Sequence, residues 1–450
     1  MFSHHYRFTT QGRLLLRAAA LLALATLNPG RAPAQVPPQV SSGELRLGMV
    51  YRALETASPR LEAARQSAVA AEARIGPART LPDPQIQIGL MNRSLPGLGL
   101  QQPLGMNQIQ LMQMVPIAGK LGLAGRVARA QADGSRARAA DLGWDLRARA
   151  AMAFYELYQI DQSLAVALTT QRLLQDIAKT AETMYAVGAG RQTDVLRAQV
   201  ELARMGEDIL RMRAMRDAAG ARLNALLDRP QDAQLAPPAI PVFPAGLPAL
   251  DSLERLALAN RPMIEAGRRD VEAAVAQARL ARREIWPDLQ VGLQYGQQPM
   301  PGGGTDRMMS FMLGFSLPIF AGGRQLPMRR EAAAMRLMAE ADLAAMRAET
   351  RGRLGELYAD VGRARRLSAL YRGTIIPQSE ATVASALAAY RVGSVDFMTL
   401  LDDQMTVNRY RQALYQLEGE HGQALAEIEM LVGQALLDAD TAELPSGGNK

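Results

Sequence analysis

The chain has 450 residues, a net charge of +7 and no cysteine, which excludes disulfides and thiolate chemistry. Of its three histidines, His4 and His5 lie in an N-terminal leader, and His421 alone cannot build the usual zinc or histidine-based catalytic sites. The basic residues form no block interleaved with aromatic residues, so nucleic-acid binding is not expected. The sequence contains no phosphate-binding loop, zinc-protease pair or serine-hydrolase elbow, and we predict no enzyme, no cofactor and no metal site.

Residues 1–34 have the pattern of a secretory signal peptide. Arginines between positions 7 and 17 give a positive start, residues 18–27 form an apolar core, and Ala-Pro-Ala at 32–34 fits a cleavage site. The apolar core is too short to cross a bilayer as a helix. The sequence therefore predicts an exported protein.

The mature chain opens with a helical pattern over residues 44–78. Pro59 restarts this helix, and Ser58 is placed to cap it. Strict alternation of polar and apolar residues then predicts strands at 85–90 and 108–111, with a Gly/Pro-rich loop between them at 92–105.

A second helical pattern, from about residue 118 to 185, predicts a rod of roughly 100 Å. A helix of that length needs a coiled-coil-like partner. The return helix, which runs to about residue 228, covers little more than half of the rod. We expect the leading helix to cover the rest by stacking end to end on the return helix.

The second half of the chain repeats this scheme after a Pro-rich linker at 229–250, which we expect to have little regular structure. The predicted elements are a helix at 251–284, strands at 289–295 and 310–317 around a loop at 296–309, a second rod at 323–390, and a final helix that ends near Gly433. Pro377 is predicted to kink the second rod. Residues 434–450 are predicted to form a disordered tail.

Four landmarks recur in the same order at spacings of about 202–205 residues, which indicates an internal duplication. They are a helix-opening proline, a proline before a strand, a proline after a strand and a bend glycine: Pro59 and Pro262, Pro82 and Pro287, Pro116 and Pro318, Gly188 and Gly393. The sequence therefore predicts two tandem repeats, 44–228 and 251–433.

Each repeat has a Tyr-x-Val-Gly segment between a long helix and a shorter one. Where a helical pattern stops, glycine supplies the left-handed C′ position that lets the chain reverse. We therefore predict sharp helix–helix bends at Gly188 and Gly393.

The predicted strands have one apolar face and one face of Gln, Ser and Gly, and they are long enough to cross a tilted path through a bilayer. Unpaired backbone groups cannot face lipid. Four strands per chain therefore need several chains to close a transmembrane β-barrel, and three chains supply about 12 strands. The alternative is a small soluble sheet packed against the rods.

The bends, the Leu-Pro-Asp and Trp-Pro-Asp strand openings and the Pro-Ile strand exits together resemble the outer-membrane efflux (TolC-like) family over residues 44–433. The resemblance implies an α+β, mainly α fold, in which a homotrimer forms a 12-stranded β-barrel in bacterial outer-membrane lipid above a long coiled-coil helical barrel in the periplasm. It implies a passive exit duct whose partners are a periplasmic adaptor (membrane fusion protein) and an inner-membrane RND-type pump. Segment 108–120, which ends Pro-x-x-Gly-Lys, is similar to the heavy-metal efflux branch.

The resemblance also implies an acidic periplasmic gate just after the second bend. One gate position falls on Asp402, with Asp403 beside it, and another falls on Thr399. The alternative is that both aspartates simply face solvent on a coiled coil.

Further residues are implied at the tips of the bends. The positions that contact the adaptor are Val187, Gly188, Val392 and Gly393. Asp194 matches an acid that pairs with a basic residue of the second bend. That basic position is Val395 in this chain, and Arg391 is the substitute that we expect.

Other functions remain open at this point: an exported coiled-coil scaffold or adaptor without a pore, and the outer-membrane duct of a type I protein secretion system. The sequence does not specify the cargo. Methionines in or near the strands are able to bind soft Cu(I), but an adaptable apolar filler is the interpretation we favour. They are Met91, Met106, Met112, Met114, Met308, Met309 and Met312.

Overall fold

The computed structural model describes residues 43–91, 105–239, 242–244, 246–300 and 303–436. The predicted signal peptide, nearly all of the predicted loop at 92–105, and the tail from residue 437 onwards lie outside the described residues.

The first repeat contains three short helices, a β-hairpin and two long helices. They are α1 (Leu47–Ala57), α2 (Pro59–Ala73), α3 (Ile75–Arg79), β1 (Gln85–Met91), β2 (Met106–Val115), α4 (Lys120–Ala186) and α5 (Gln192–Leu226). The second repeat has the same order, but two helices instead of three precede its strands, and its long helix has one extra break. Its elements are α6 (Leu250–Asn260), α7 (Pro262–Arg283), β3 (Leu289–Pro299), β4 (Thr305–Phe315), α8 (Gln325–Leu370), a π-helical turn (Tyr371–Ile375), α9 (Ile376–Arg391) and α10 (Phe397–Val432).

The break between α1 and α2 follows the predicted capping chemistry. The hydroxyl of Ser58 accepts a hydrogen bond from the N–H of Leu61 at 3.4 Å. Pro59 occupies the first helical position, where its missing N–H costs nothing.

The long helix α4 is continuous over 67 residues, as predicted. It packs against α1–α3 towards its start and against α5 towards its end. Leu54 of α1, Leu157 of α4 and Leu223 of α5 belong to one buried cluster, where the leading and return helices meet. The leading helices α1–α3 and the return helix α5 therefore lie end to end along α4, as predicted. Helices α7 and α10 of the second repeat also pack on α4.

The second rod is interrupted close to Pro377, where a kink is predicted. The interruption is the π-helical turn, in which the N–H of Ile376 bonds to the carbonyl of Tyr371. Arg372 of this turn forms an ion pair with the buried carboxylate of Glu418 on α10, and that carboxylate also accepts from the hydroxyl of Tyr158 at 2.8 Å. The wider turn thus joins both long helices to α10.

The strands form one antiparallel sheet in the order β1-β2-β3-β4. The two repeats meet at its centre, where β2 pairs with β3 from Asn107↔Gln297 to Val115↔Leu289. The predicted loop at 296–309 is wrong in extent, because β3 continues to Pro299 and β4 already begins at Thr305. In that stretch both faces carry polar side chains, so the apolar alternation stops before the strands do.

The apolar face of the sheet is uncovered in a single chain. None of the hydrophobic clusters found among the described residues contains a strand residue. Ile88, Phe311 and Leu313 are each more than half exposed. Within a single chain, the described strands are therefore not packed against the rods.

The Pro-rich linker has little regular structure, but it is packed on the helices. Leu45 forms an isolated parallel bridge with Pro238. The ring of Phe243 stacks on the imidazole of His421 with centroids 4.2 Å apart. Linker residues thereby contribute to the helical core.

Candidate functional site

Both helical bends have the geometry that their sequence predicts. Gly188 and Gly393 adopt left-handed φ angles of 76° and 74°. Their amides donate to the carbonyls of Tyr185 and Tyr390, both at 3.0 Å, and the next amide in each bend donates to a carbonyl five residues back. These are the paired bonds of a Schellman motif, so each long helix ends in a fully bonded reversal.

The two bends pack against each other. One hydrophobic cluster contains Ala198 of α5, Tyr390 of α9, and Phe397 and Leu400 of α10. The rings of Tyr390 and Phe397 meet edge to face with centroids 5.7 Å apart. The bends of both repeats therefore form a single unit.

Asp396 caps α10 and also faces the first bend. Its carboxylate accepts from the N–H of Thr399 at 2.8 Å and from the hydroxyl of Thr399 at 2.6 Å. These hydrogen bonds lower the pKa of Asp396, and the positive charges of Arg191 and Arg197 lower it further. Thr399 is thus engaged in capping, and the two bends attract each other electrostatically.

Asp402 and Asp403 lie nearly two turns beyond the capping Asp396, in the second turn of α10. Asp402 is exposed and Asp403 half-buried, whereas the neighbouring Leu401 and Gln404 are buried. Within the described ranges neither aspartate forms an ion pair. The first turns of α10 therefore present uncompensated negative charge to solvent.

Asp194 is not paired with Arg391 in the part of the chain that the structure describes. Asp194 is half-buried in the first turn of α5. Burial raises the pKa of Tyr390, and the charge of Asp194 adds to this effect. The attraction between opposite charges runs instead from Asp396 of the second bend to Arg191 and Arg197 of the first.

Apolar side chains stand at the tips of both bends. Val187 is 70% exposed and Val392 is 79% exposed. An added Cβ at Gly188 or Gly393 would meet no atom within 4 Å. Each tip therefore offers a small, open and apolar contact surface.

At the opposite end of the long helices, the strands join the helical part through a buried lysine that sequence reasoning did not identify as a contact. Lys120 lies at the start of α4, and its ammonium donates to Asp288 and to the carbonyl of Trp286. The available signals were the Pro-x-x-Gly-Lys and Trp-Pro-Asp motifs, but nothing in the sequence paired them.

The other face of the sheet is polar, and on this face methionine side chains lie against glycines of the neighbouring strand. The amide of Gln294 donates to the side-chain oxygen of Gln108 at 2.5 Å. Methyl carbons of Met312 and Met106 lie 3.3 and 3.1 Å from where a Cβ would stand at Gly292 and Gly296. These methionines fill space left by glycine. No group of three or more histidines, aspartates or glutamates is placed to hold a metal ion within the described residues.

Among the helices that the structure describes, none combines the length and the apolar character needed to cross a membrane. A family model described as outer membrane efflux protein matches residues 50–229 and 253–434. The two matched ranges coincide with the two structural repeats.

Individual relatives agree with this match. The chain is 23% identical over 426 residues to the cobalt-zinc-cadmium resistance protein CzcC of Cupriavidus metallidurans, which covers 92% of this chain and 98% of CzcC.

Solved structures of similar fold include two proteins named as outer-membrane proteins and one described as forming a transmembrane channel. The channel CusC has a TM-score of 0.75 at 15% identity, with coverage of 91% of this chain and 99% of CusC. The outer-membrane channel OprN has a TM-score of 0.73 at 21% identity, with coverage of 86% and 90%. VceC of Vibrio cholerae has a TM-score of 0.73 at 16% identity, with coverage of 87% and 97%.

Proposed function

The chain belongs to the outer membrane efflux protein family, and from this we propose that three copies form the exit duct of a tripartite efflux system. The strands of the three copies close a 12-stranded barrel in the outer membrane, and the long helices form a duct in the periplasm. Solutes leave through it passively.

The observation that carries this proposal is the open sheet. β1 and β4 each have a hydrogen-bonded neighbour on one side only among the described strands. The same sheet exposes a continuous apolar face. A sheet with free edges cannot face lipid, whereas a closed ring of strands from several copies satisfies both its backbone groups and its apolar face.

The helical bends support two further assignments. We assign Val187, Gly188, Val392 and Gly393 to the contact with a periplasmic adaptor, because the exposed valines form an apolar surface at the tip of the rods. The adaptor in turn connects the duct to an inner-membrane RND-type pump.

We assign the periplasmic gate to Asp402 and Asp403. Both lie close to the bend where the duct narrows in this proposal, and both lack a compensating charge in the described chain. Three copies bring these carboxylates into a ring, which attracts cations and repels anions. Thr399 has a structural part in this gate, since its backbone N–H and its hydroxyl donate to Asp396, the residue that caps α10.

Heavy-metal ions are the cargo that we favour. The support is the relative CzcC, whose name refers to cobalt, zinc and cadmium resistance. The duct itself needs no metal ligand, because selectivity then lies in the pump.

The proposal is tested by two measurements on the full-length protein expressed in a Gram-negative host. Detergent-extracted protein from the outer-membrane fraction should conduct ions in planar bilayers. Deletion of its gene in the native host should lower tolerance to cobalt, zinc or cadmium, and the intact gene should restore it. Protein that is found in the soluble periplasmic fraction and conducts no ions would refute the duct.

A further inference from the structure

The internal duplication predicts how the sheet of one copy pairs with the sheet of a second copy. Residue n of β1 corresponds to residue n + 205 of β3, as in Pro82 and Pro287 before these strands. Residue n of β2 corresponds to residue n + 202 of β4, as in Pro116 and Pro318 after them.

The hydrogen-bonded registers of the two hairpins obey this correspondence. In the first hairpin Ile86 lies opposite Leu111, and in the second their counterparts Val291 and Leu313 lie opposite each other. The pairs Ile88↔Ile109 and Leu293↔Phe311 agree in the same way. The duplication therefore preserves strand register residue by residue.

The junction of β2 with β3 shows how the end of one repeat pairs with the beginning of the other. Leu111 lies opposite Leu293, and Ile109 lies opposite Tyr295. In a closed barrel made of several copies, first and second repeats alternate around the ring. The contact between β4 of one copy and β1 of the next copy is then equivalent to the contact between β2 and β3 within one chain. This step rests on the proposed function, since it requires a second copy.

We propose that β4 of one copy pairs antiparallel with β1 of a second copy in one register, Phe311↔Leu90, Leu313↔Ile88 and Phe315↔Ile86. The register follows when the β2–β3 pairs are shifted by the two spacings of the duplication.

The chemistry of the side chains agrees with this register. All six residues are exposed in the single chain and lie on the apolar face. Because side chains alternate between the faces of a sheet, a slip of one residue would place Leu313 opposite Gln87 and set an apolar side chain against a polar one. The proposed register keeps the apolar face continuous across the copies.

The chain offers a clean test because it has no cysteine of its own. The double variant Ile88→Cys/Leu313→Cys is oxidised in outer membranes with copper–phenanthroline and resolved on a non-reducing gel. Residues directly opposite each other have Cβ atoms about 5 Å apart, and diagonal neighbours are about 7–8 Å apart, which is beyond the reach of a disulfide. The matched controls are therefore Ile88→Cys/Phe311→Cys and Ile88→Cys/Phe315→Cys.

A disulfide between residues 88 and 313 of the same chain cannot form. β1 and β4 are separated by two other strands, so they lie roughly 14 Å apart at the usual strand spacing. Any disulfide between residues 88 and 313 must therefore join two copies.

We expect the 88/313 variant to form covalent dimers and trimers several-fold more efficiently than either control. Leu90→Cys/Phe311→Cys is a second in-register pair, in case the first variant folds poorly. Efficient crosslinking of a control pair but of neither in-register pair, with trimers still present on a native gel, would overturn the register and leave the duct intact. A monomer without crosslinks in any variant would instead refute the proposed function.

Discussion

The ammonium of Lys120 lies 2.8 Å from the carboxylate of Asp288 and joins the two repeats where the sheet meets the helices. Lys120 is only 5% exposed, and it also donates to the carbonyl of Trp286 at 2.9 Å. The turn before it places Ala118 and Gly119 at left-handed φ angles of 60° and 74°. This strained exit from β2 is held against the entry to β3 by a charged contact.

Lys120→Met should destabilise the protein, because it leaves the carboxylate of Asp288 without its cation. Removing one member of a buried pair costs roughly 3–5 kcal/mol, and since Asp288 is partly exposed we expect about 2–3 kcal/mol. The measurement is the thermal or denaturant-induced unfolding of purified protein. Lys179→Met, at an exposed position of α4, is the control and should change stability little. Equal stability of both variants would show that the Lys120 contact contributes nothing.

His421 makes the helical core sensitive to acid. Burial lowers the pKa of His421 to about 4, and the charge of Arg365 adds to this effect. Between the unfolded pKa near 6.5 and the folded value, only the unfolded chain binds the proton, so stability falls as the pH falls through this range. This one histidine changes the free energy of unfolding by at most about 1.4 kcal/mol per pH unit.

The comparison that isolates this histidine is unfolding from pH 7 to pH 4 with and without His421→Phe. Phenylalanine keeps an aromatic ring against Phe243 and carries no titratable group. We expect the variant to lose part of the acid sensitivity of the wild type. Parallel curves for the two proteins over the whole range would contradict the assignment.

The proposed gate predicts a change in ion selectivity. Asp402→Asn/Asp403→Asn removes the uncompensated charge at the start of α10, so the reversal potential in a salt gradient should move towards zero. Asp396→Ser is the matched control, because serine retains the helix cap and the substitution removes one negative charge near the same bend but outside residues 402 and 403. If Asp396→Ser altered selectivity as much as the double variant, the gate would not be at residues 402 and 403.

The proposed tip contact predicts a loss of transport without a loss of folding. Val187→Asp/Val392→Asp places charges on the two exposed valines and should lower metal tolerance in cells that carry the adaptor and the pump. Val69→Asp, at a valine of α2 that is 58% exposed, should have no such effect. Unchanged tolerance in the tip variant, with trimers at normal abundance, would remove these valines from the adaptor contact.

Features that depend on local pattern could be read from the sequence. The length of α4, the bends at Gly188 and Gly393 and the cap at Ser58 follow from helical periodicity and from the special conformations of glycine and proline. The full extent of β3 and β4 could not be read, because Gln297 lies opposite Arg307 and offers no apolar alternation.

Features that depend on distant contacts were not predictable. The ion pair of Lys120 with Asp288 spans 168 residues along the chain. The predicted attraction joins an acid of the first bend to a base of the second, whereas the observed one joins Asp396 of the second bend to Arg191 and Arg197 of the first. This arrangement depends on how the two bends pack. Such contacts are set by the register in which the repeats pack, and local periodicity does not contain that register.

The most direct test of the duct is the mass of the native assembly extracted from outer membranes in mild detergent, measured by light scattering with correction for bound detergent. The open edges of β1 and β4 predict a protein mass of three chains and no stable single-chain species. A monodisperse monomer that remains folded, with its sheet edges unpaired, would contradict the account.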